Sequence, residues 1–458
     1  MTLAASVAIA RGLGWLSRRS GRGGGTSAPG KVLLRLHPSA IQLLSERLPE
    51  GTLVVSATNG KTTTARLIGA VVAAQGWPAI QNFAGANLLS GIATALIPDA
   101  GTRQAPEIGI FEVDELALPE VAARLRPRVM VLMNLFRDQL DRSGELERIA
   151  ERWSAMIAGL PADTRLVANA DDPSIAALAG DRPGTIWFGI DDPRMALAEV
   201  PHAADATRCR RCHTPLRYGR VVLGHMGDWE CPGCGWSRPD RDVGVTEATL
   251  DGTSGVSLEI STPEGVVHAE LAVPGVHNVY NAAAALGAAV ALGIPAGRAA
   301  AALAAADAAF GRAERVRVGS HDLLILLAKN PAGANTTVHT VMLDPEPLHL
   351  LVALNDQTAD GHDVSWIWDA DYEPLLERLA GVVCTGDRAY DMALRFAYAG
   401  CPRDRITVIP DVSAALDHAL ADLPEGRTLY ALPTYTAMLR LRQVLVQRGA
   451  AQEFWRDR

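Results

Sequence analysis

Lysine is scarce in this chain: Lys31, Lys61 and Lys329 stand against 40 arginines in 458 residues. The place of each lysine is therefore informative. Lys61 lies in Ala57-Thr-Asn-Gly-Lys-Thr-Thr-Thr64, directly after the apolar run Thr52–Ser56 and before a helical stretch from about Thr62 to Gln75. A strand, a glycine turn and a helix start are what a phosphate loop needs, because free backbone N–H groups and the helix dipole both face the anion. Lys61 can reach β- and γ-phosphates, and the Thr62 hydroxyl can serve Mg²⁺. Thr58, Asn59, Gly60, Lys61, Thr62 and Thr63 are accordingly the candidate nucleotide ligands. The strict GxxxxGK[ST] pattern is not met, since Val55 stands where its first glycine would be.

A second group able to do chemistry is Cys209-Arg-Arg-Cys212 with Cys231-Pro-Gly-Cys234, separated by 18 residues. Two CxxC pairs at this spacing can set four thiolates around one tetrahedral zinc. Four thiolates leave no open position, so such a zinc is structural. Two local disulfides, or an iron–sulfur centre, are the competing readings of the same cysteines.

The remaining chain must position these groups. With 48% hydrophobic and 21% charged residues, it has ample material for a core and cannot be a disordered tail. A net charge of −8 argues against a broad basic surface for nucleic acid. No apolar run is long enough for a transmembrane helix. The N-terminus is apolar first and basic second, the reverse of a secretory signal. It reads either as a core-facing helix or as a helix lying on a membrane surface, with Leu13, Trp15 and Leu16 near Arg18 and Arg19.

Strands are expected at 107–113, 129–135, 165–169 and 185–188, with helical stretches between several of them, the rhythm of a parallel sheet covered on both faces. Residues 205–238 interrupt it with the cysteines. Two alternating stretches, 256–260 and 266–273, predict antiparallel strands, and Ala-rich helices are expected over 279–292 and 297–310. A second α/β region follows, with strands at 323–328, 349–354, 382–385 and 406–409. The expected organisation is an N-terminal helix and Gly-rich linker (1–43), a central domain (44–314) with a cysteine-bearing insertion (205–238), and a Rossmann-like C-terminal domain (315–458).

At the level of motifs, ATNGKTTT resembles the ATP loop of the Mur ligases and folylpolyglutamate synthetases, with Ala57 in place of a glycine. Asn82-Phe-Ala-Gly-Ala-Asn87, Glu112, Asn134-Leu-Phe-Arg-Asp-Gln-Leu-Asp141, Asn169-Ala-Asp-Asp172, His277-Asn-Val-Tyr-Asn281 and Gly311-Arg312 follow in the order of that family. The resemblance implies an α/β Mur-ligase-type fold and transfer of the ATP γ-phosphate to a carboxylate, after which an amine displaces phosphate. It implies Mg²⁺ held by Thr62, Glu112 and His277, and ATP contacts from Asn278, Asn281 and Arg312. Several Mur ligases hold magnesium with a carbamylated lysine. No lysine lies between Lys61 and Lys329, so that device is absent.

Downstream, Asn355-Asp-Gln-Thr-Ala-Asp-Gly-His-Asp-Val-Ser-Trp-Ile-Trp-Asp369, Ala328-Lys-Asn-Pro-Ala-Gly333 and the four-cysteine insertion narrow the resemblance to the MurT family. These are Mur-ligase-like subunits of lipid II isoglutaminyl synthase. Lys329 stands where other Mur ligases carry His. The family implies a GatD-type glutamine amidotransferase as partner, lipid II or a related precursor as substrate, and a cytoplasmic site at the inner membrane face. It also implies that an aspartate of this chain completes the partner's Cys–His pair. Asp360 is favoured, with Asp363 and Asp369 as the other candidates and Asp356 further back. Cys384 and Cys401 lie in no nucleophile turn and read as core residues, so the ammonia source must be another chain. Trp366 and Trp368 read equally as core or as a partner anchor. A ligase that adds an amino acid, and a non-catalytic nucleotide-binding scaffold, are the two other functional readings.

Overall fold

In a computed structural model, the chain is described over residues 1–19, 27–82, 85–97, 105–137, 145–180, 182–198, 200–201, 204–306 and 312–452. The first sheet is built from β1 (Thr52–Ser56), β2 (Ala79–Gln81), β3 (Ile108–Glu112), β4 (Val129–Leu132), β5 (Arg165–Asn169) and β6 (Ile186–Ile190). The chain then leaves the sheet for the hairpin β7 (Arg217–Leu223) and β8 (Met226–Glu230). It returns as β9 (Val243–Asp251), β10 (Gly255–Thr262) and β11 (Gly265–Leu271). Strand order is β11-β10-β9-β6-β5-β4-β1-β3-β2. Pairing is parallel from β2 through to β9, and antiparallel where β10 meets β9 and β11.

Strands β1, β3 and β4 are buried along their whole length, as strands covered on both faces must be. One cover is the helix Val276–Leu292, where Ala282–Ala285, Ala288 and Ala289 are fully buried. Small residues let this helix lie close to the strands: a Cβ on Gly287 would come within 2.7 Å of Val167 Cγ1. The opposite face is covered by helices that include Leu3–Arg19 and Ala28–Leu36, whose Leu33 packs with Val54, Phe111 and Met130.

A second sheet holds β12 (Arg312–Val318), β13 (His321–Leu326), β14 (Leu348–Ala353), β15 (Leu379–Thr385), β16 (Ile406–Val408) and β17 (Thr428–Pro433), in the order β12-β13-β17-β14-β15-β16. Only β12 runs antiparallel to its neighbour. This sheet begins at Arg312, slightly ahead of the boundary expected at 315. The helix expected over 297–310 is Ala296–Leu303 in the described residues, and 307–311 lie outside them.

Candidate functional site

The phosphate loop runs from the end of β1 into the helix Lys61–Ala74. Strand β1 is the point where strand order reverses, with β3 on one side and β4 on the other. In open α/β sheets the crevice beyond such a switch point is where ligands bind. Gly60 is required here twice over. It has φ +93°, and a Cβ would sit 2.4 Å from Asn281 Oδ1.

The loop is held from both flanks. Thr58 N–H donates to Asn134 O (3.1 Å), and its hydroxyl both donates to Phe136 O and accepts from Phe136 N–H. The Asn134 amide pairs with the backbone of Asn59, accepting from N–H at 2.9 Å and donating to the carbonyl at 3.0 Å. On the other flank, Thr64 Oγ1 donates to Asn281 Oδ1 (3.2 Å) and Asn281 Nδ2 to Asn278 Oδ1 (2.8 Å). Asn278 Nδ2 lies 3.1 Å from His277 Nε2. The sequence predicts a helix start near 279. It starts at Val276 instead, so His277, Asn278 and Asn281 share the first turns facing the loop.

Asn59, Gly60, Thr63, His277, Asn278 and Asn281 thus line one cavity of some 930 Å³, counting its open mouth. Its far wall comes from the C-terminal domain, through Lys329, Gly333, Thr336 and Thr340. Asn330 caps the helix Pro331–Val341, accepting from Gly333 N–H at 2.7 Å, and its Nδ2 donates to Asn59 Oδ1 at 3.3 Å. Leu223 and Met226 of the β7–β8 hairpin also line it. Gly311 lies outside the described residues, as does the side chain of Arg312.

Lys61 sits in the loop floor, 6% exposed, donating to Ala57 O, to Thr58 O and to Glu115 Oε2 at 2.9 Å. Glu115 was not among the sequence candidates. Its one signal was a position three residues after Glu112, at the end of β3. Glu112 is opposite Val55 in the β1–β3 register and 4% exposed. Its backbone is fixed by the Asn82 side chain, which accepts from Glu112 N–H (3.0 Å) and donates to Glu112 O (2.9 Å). Thr62 is likewise buried. A hydroxyl and a carboxylate at adjoining strand and helix ends are hard oxygen donors suited to Mg²⁺. Phe83 and Ala84 of the Asn82–Asn87 motif, and 138–141 of the next, lie outside the described residues.

The four paired cysteines converge. Their Sγ atoms all lie within 4.8 Å of one another, with Cys209–Cys234 at 3.7 Å and Cys212–Cys231 at 3.3 Å. A tetrahedron of Zn–S bonds of about 2.3 Å sets its sulfurs about 3.8 Å apart, so the donor set fits zinc. Each pair closes a tight turn: His213 N–H donates to Cys209 O and Gly235 N–H to Cys231 O, both at 2.9 Å. Hydrogen bonding to Thr214 holds the Cys212 thiol down at about 6, which favours a thiolate.

Just beyond Cys234, Arg238 turns inward and is 8% exposed. It pairs with the fully buried Asp171 at 2.6 Å, and Asp171 also accepts from Tyr280 OH at 2.8 Å and Ile190 N–H at 3.0 Å. Burial pushes the Asp171 carboxyl up, and Arg238 opposes this. Tyr280 belongs to the same helix as His277.

In the C-terminal domain, Asp360 is 4% exposed and takes both the N–H (2.8 Å) and the hydroxyl of Thr436, at the start of the helix Tyr435–Gln447. Sequence reasoning favoured it as a residue reaching out to a partner; here both its oxygens are engaged within its own domain. Asp363 is half-buried and accepts from Ser365 N–H at 2.8 Å; hydrogen bonding from the Ser365 side chain and backbone keeps its carboxyl low. Asp369 faces Arg137 at 3.8 Å, and Asp356 pairs with Arg388 at 2.9 Å. The two tryptophans divide: Trp366 is core at 4% exposed, whereas Trp368 is 47% exposed and meets Tyr398 edge-on at 5.5 Å. Cys384 and Cys401 are both buried.

Comparison with known proteins agrees with this geometry. Residues 55–223 match the model of the Mur ligase middle domain, and residues 327–438 match that of the MurT ligase C-terminal domain. The MurT subunit of lipid II isoglutaminyl synthase (glutamine-hydrolyzing) from Streptococcus pneumoniae is 31% identical over 447 residues, 95% of this chain and 97% of that protein. The MurT subunit from Staphylococcus aureus is 29% identical over 377 residues, 82% of this chain and 83% of that protein. Among solved structures, the pseudomurein peptide ligase type C from Methanothermus fervidus superposes with a TM-score of 0.70 at 20% identity, over 88% of this chain and 80% of that one. MurF from Acinetobacter baumannii gives 0.66 at 16%, over 93% of this chain and 80% of that one.

Proposed function

The chain belongs to the MurT family of Mur-ligase-like, ATP-dependent carbon–nitrogen ligase subunits, and from that premise we propose that it activates the α-carboxyl of the D-glutamate in the lipid II stem peptide for amidation. ATP gives its γ-phosphoryl to the carboxylate oxygen, leaving ADP and an acyl phosphate. Ammonia attacks the acyl carbon, the tetrahedral intermediate expels phosphate, and the product is D-isoglutamine. A GatD-type partner would release the ammonia from glutamine, at the inner face of the cytoplasmic membrane.

The observation that carries this reading is the joint cavity: a phosphate loop at the switch point of one domain, closed by Asn330 and Lys329 of the other. Gly60 turns the loop so that the first helical N–H groups face the triphosphate. Lys61 neutralises charge on the transferred phosphoryl by exchanging Glu115 for phosphate oxygens. Asn134 and Asn281 fix the two sides of the loop, the preorganisation that positioning of the two reactants would need. Thr62, Glu112 and His277 would hold Mg²⁺, which supplies charge neutralisation at the phosphates. Thr58, Asn59, Thr63, Asn278 and Arg312 are proposed nucleotide contacts. Cys209, Cys212, Cys231 and Cys234 would hold a structural zinc.

The partner face proposed here is the exposed side of the helix Ala389–Tyr398. Tyr390, Leu394 and Tyr398 are 70, 50 and 76% exposed at four-residue intervals, next to Trp368. Large aromatic groups clustered this way suit an interface anchor. The loop 356–369 would offer the carboxylate that orients the partner's imidazole. The test is reconstitution with a glutamine amidotransferase partner, ATP and a lipid-linked precursor, followed by mass analysis. Exchange of one hydroxyl for an amino group, dependent on ATP and lost in Lys61→Ala, is the expected result. Product formed without consumption of ATP would end the proposal.

A further inference from the structure

The helix Leu3–Arg19 is fastened to the fold on one side only. Leu3, Val7 and Ala10 pack into the core beneath the first sheet, together with Leu33 and Leu34 of the next helix. The other side faces solvent. Ile9, Leu13 and Leu16 are 45, 41 and 56% exposed, and spacings of four and three put them on one stripe. No exposed position from Met1 to Leu16 carries an ionisable side chain. A surface helix normally turns charge outward, so this one is apolar on the wrong side for water.

Charge identifies what covers it. Residues 1–45 contain Arg11, Arg18, Arg19, Arg22, Lys31 and Arg35 and no acidic residue, although the whole chain carries −8. Lys31 and Arg35 are both exposed, one turn apart on the adjoining helix. Pairing two copies of this face would bring two such cationic segments together, which disfavours a second copy of the chain. The helix is also no membrane span: among the described residues no helix is long and apolar enough to cross a bilayer.

We propose that Leu3–Arg19 lies in the surface of an anionic lipid bilayer, with Ile9, Leu13 and Leu16 in the acyl boundary and the exposed Lys31 and Arg35 of the adjoining helix at phosphate depth. The seating relates this surface to the site. Gly30 lies so close to the helix Leu89–Ala95 that a Cβ would fall 1.9 Å from Ser90 O, and its N–H donates to Thr94 Oγ1 at 2.9 Å. That helix follows the Asn82–Asn87 loop, which fixes the end of β3 at Glu112. Lipid binding would thus hold the protein where a lipid-linked acid resides, but it does not depend on the reaction proposed above.

The test is co-sedimentation of the full chain with vesicles of phosphatidylcholine alone, or mixed with phosphatidylglycerol. Neither contains a peptidoglycan precursor, so the outcome is independent of activity. Expected is binding at least about tenfold tighter to the anionic vesicles, weakening with added salt. Ile9→Ser/Leu13→Ser/Leu16→Ser should lower it about tenfold or more at an unchanged melting temperature, since all three side chains are exposed. Lys31→Gln/Arg35→Gln should lower only the anionic preference. Equal partitioning of the wild type and the triple-serine variant, or no preference for anionic lipid, would overturn the proposal. So would unchanged vesicle binding with a changed oligomeric mass or loss of a protein partner, which would make the stripe a protein-binding face.

Discussion

Lys61 is already committed before any nucleotide arrives. Its ammonium is buried against Glu115 and two loop carbonyls, so binding triphosphate replaces one set of anionic partners by another rather than drawing a free cation out of water. Lys61→Ala should reduce ATP turnover by about a hundredfold or more, as loss of a transition-state charge does, measured as phosphate release; normal turnover would remove the phosphate-loop assignment. Glu115→Gln leaves the ammonium only carbonyl partners in a dry site. It should cost about 3 kcal/mol in the nucleotide-free protein, and MgATP should recover much of that loss by giving Lys61 phosphate oxygens. A melting deficit that is the same with and without MgATP would show that the pair serves folding alone. Lys61 was legible in the sequence because lysine is scarce and its neighbours spell strand, turn and helix. Glu115 was not, because the pairing depends on the register that sets the end of β3 beside the loop after β1.

Among the elements, the cysteine hairpin serves two ends. Its knuckles gather four sulfurs, while its strands lend Leu223 and Met226 to the nucleotide cavity. Arg238, leaving the second knuckle, ties it through Asp171 to Tyr280 on the helix Val276–Leu292, which carries His277 in its first turn. Cys231→Ser should lower bound zinc, read by elemental analysis, and lower the melting temperature; unchanged metal content would reject a zinc site. Arg238→Met removes the cation that opposes the burial-driven rise at Asp171. A carboxyl whose folded value is raised contributes stability below its unfolded value and loses it as pH climbs through the folded one. The variant's deficit against wild type should therefore grow as pH rises above the carboxylate range, and KM for ATP should rise as Asp171, the acceptor of the Tyr280 hydroxyl, loses its cationic partner. A deficit independent of pH would mean that Asp171 does not bear the lost interaction. The CxxC pairs and the parallel strands β1, β3, β4, β5, β6, β13, β14, β15 and β16 could be read from spacing and apolar runs. Strands β9, β12 and β17 could not, because β9 rejoins the sheet only after the hairpin and β12 and β17 acquire their identity from partners far away in sequence.

At the scale of the whole molecule, neither domain makes the site alone. Asn59 and Asn330 join across the cavity, and Tyr435 of the C-terminal domain comes within 3.1 Å of where a Cβ on Gly85 would be, in the loop that fixes Glu112. The same C-terminal domain presents the aromatic helix face and the aspartate loop proposed to meet the amidotransferase. The sequence favours Asp360 among the loop's aspartates; in the fold both of its oxygens are engaged by Thr436. Asp363→Asn should impair glutamine hydrolysis in the two-chain complex by at least about tenfold, the scale of a lost orienting carboxylate, while amidation fed with free ammonium and the melting temperature stay near wild type. Asp360→Asn should instead loosen the start of the helix Tyr435–Gln447, costing about 1 kcal/mol as a lost cap does, and depress both reactions together. If Asp360→Asn stops glutamine hydrolysis alone, with unchanged melting, then the loop releases Thr436 when the partner binds and Asp360 is the residue that crosses to it.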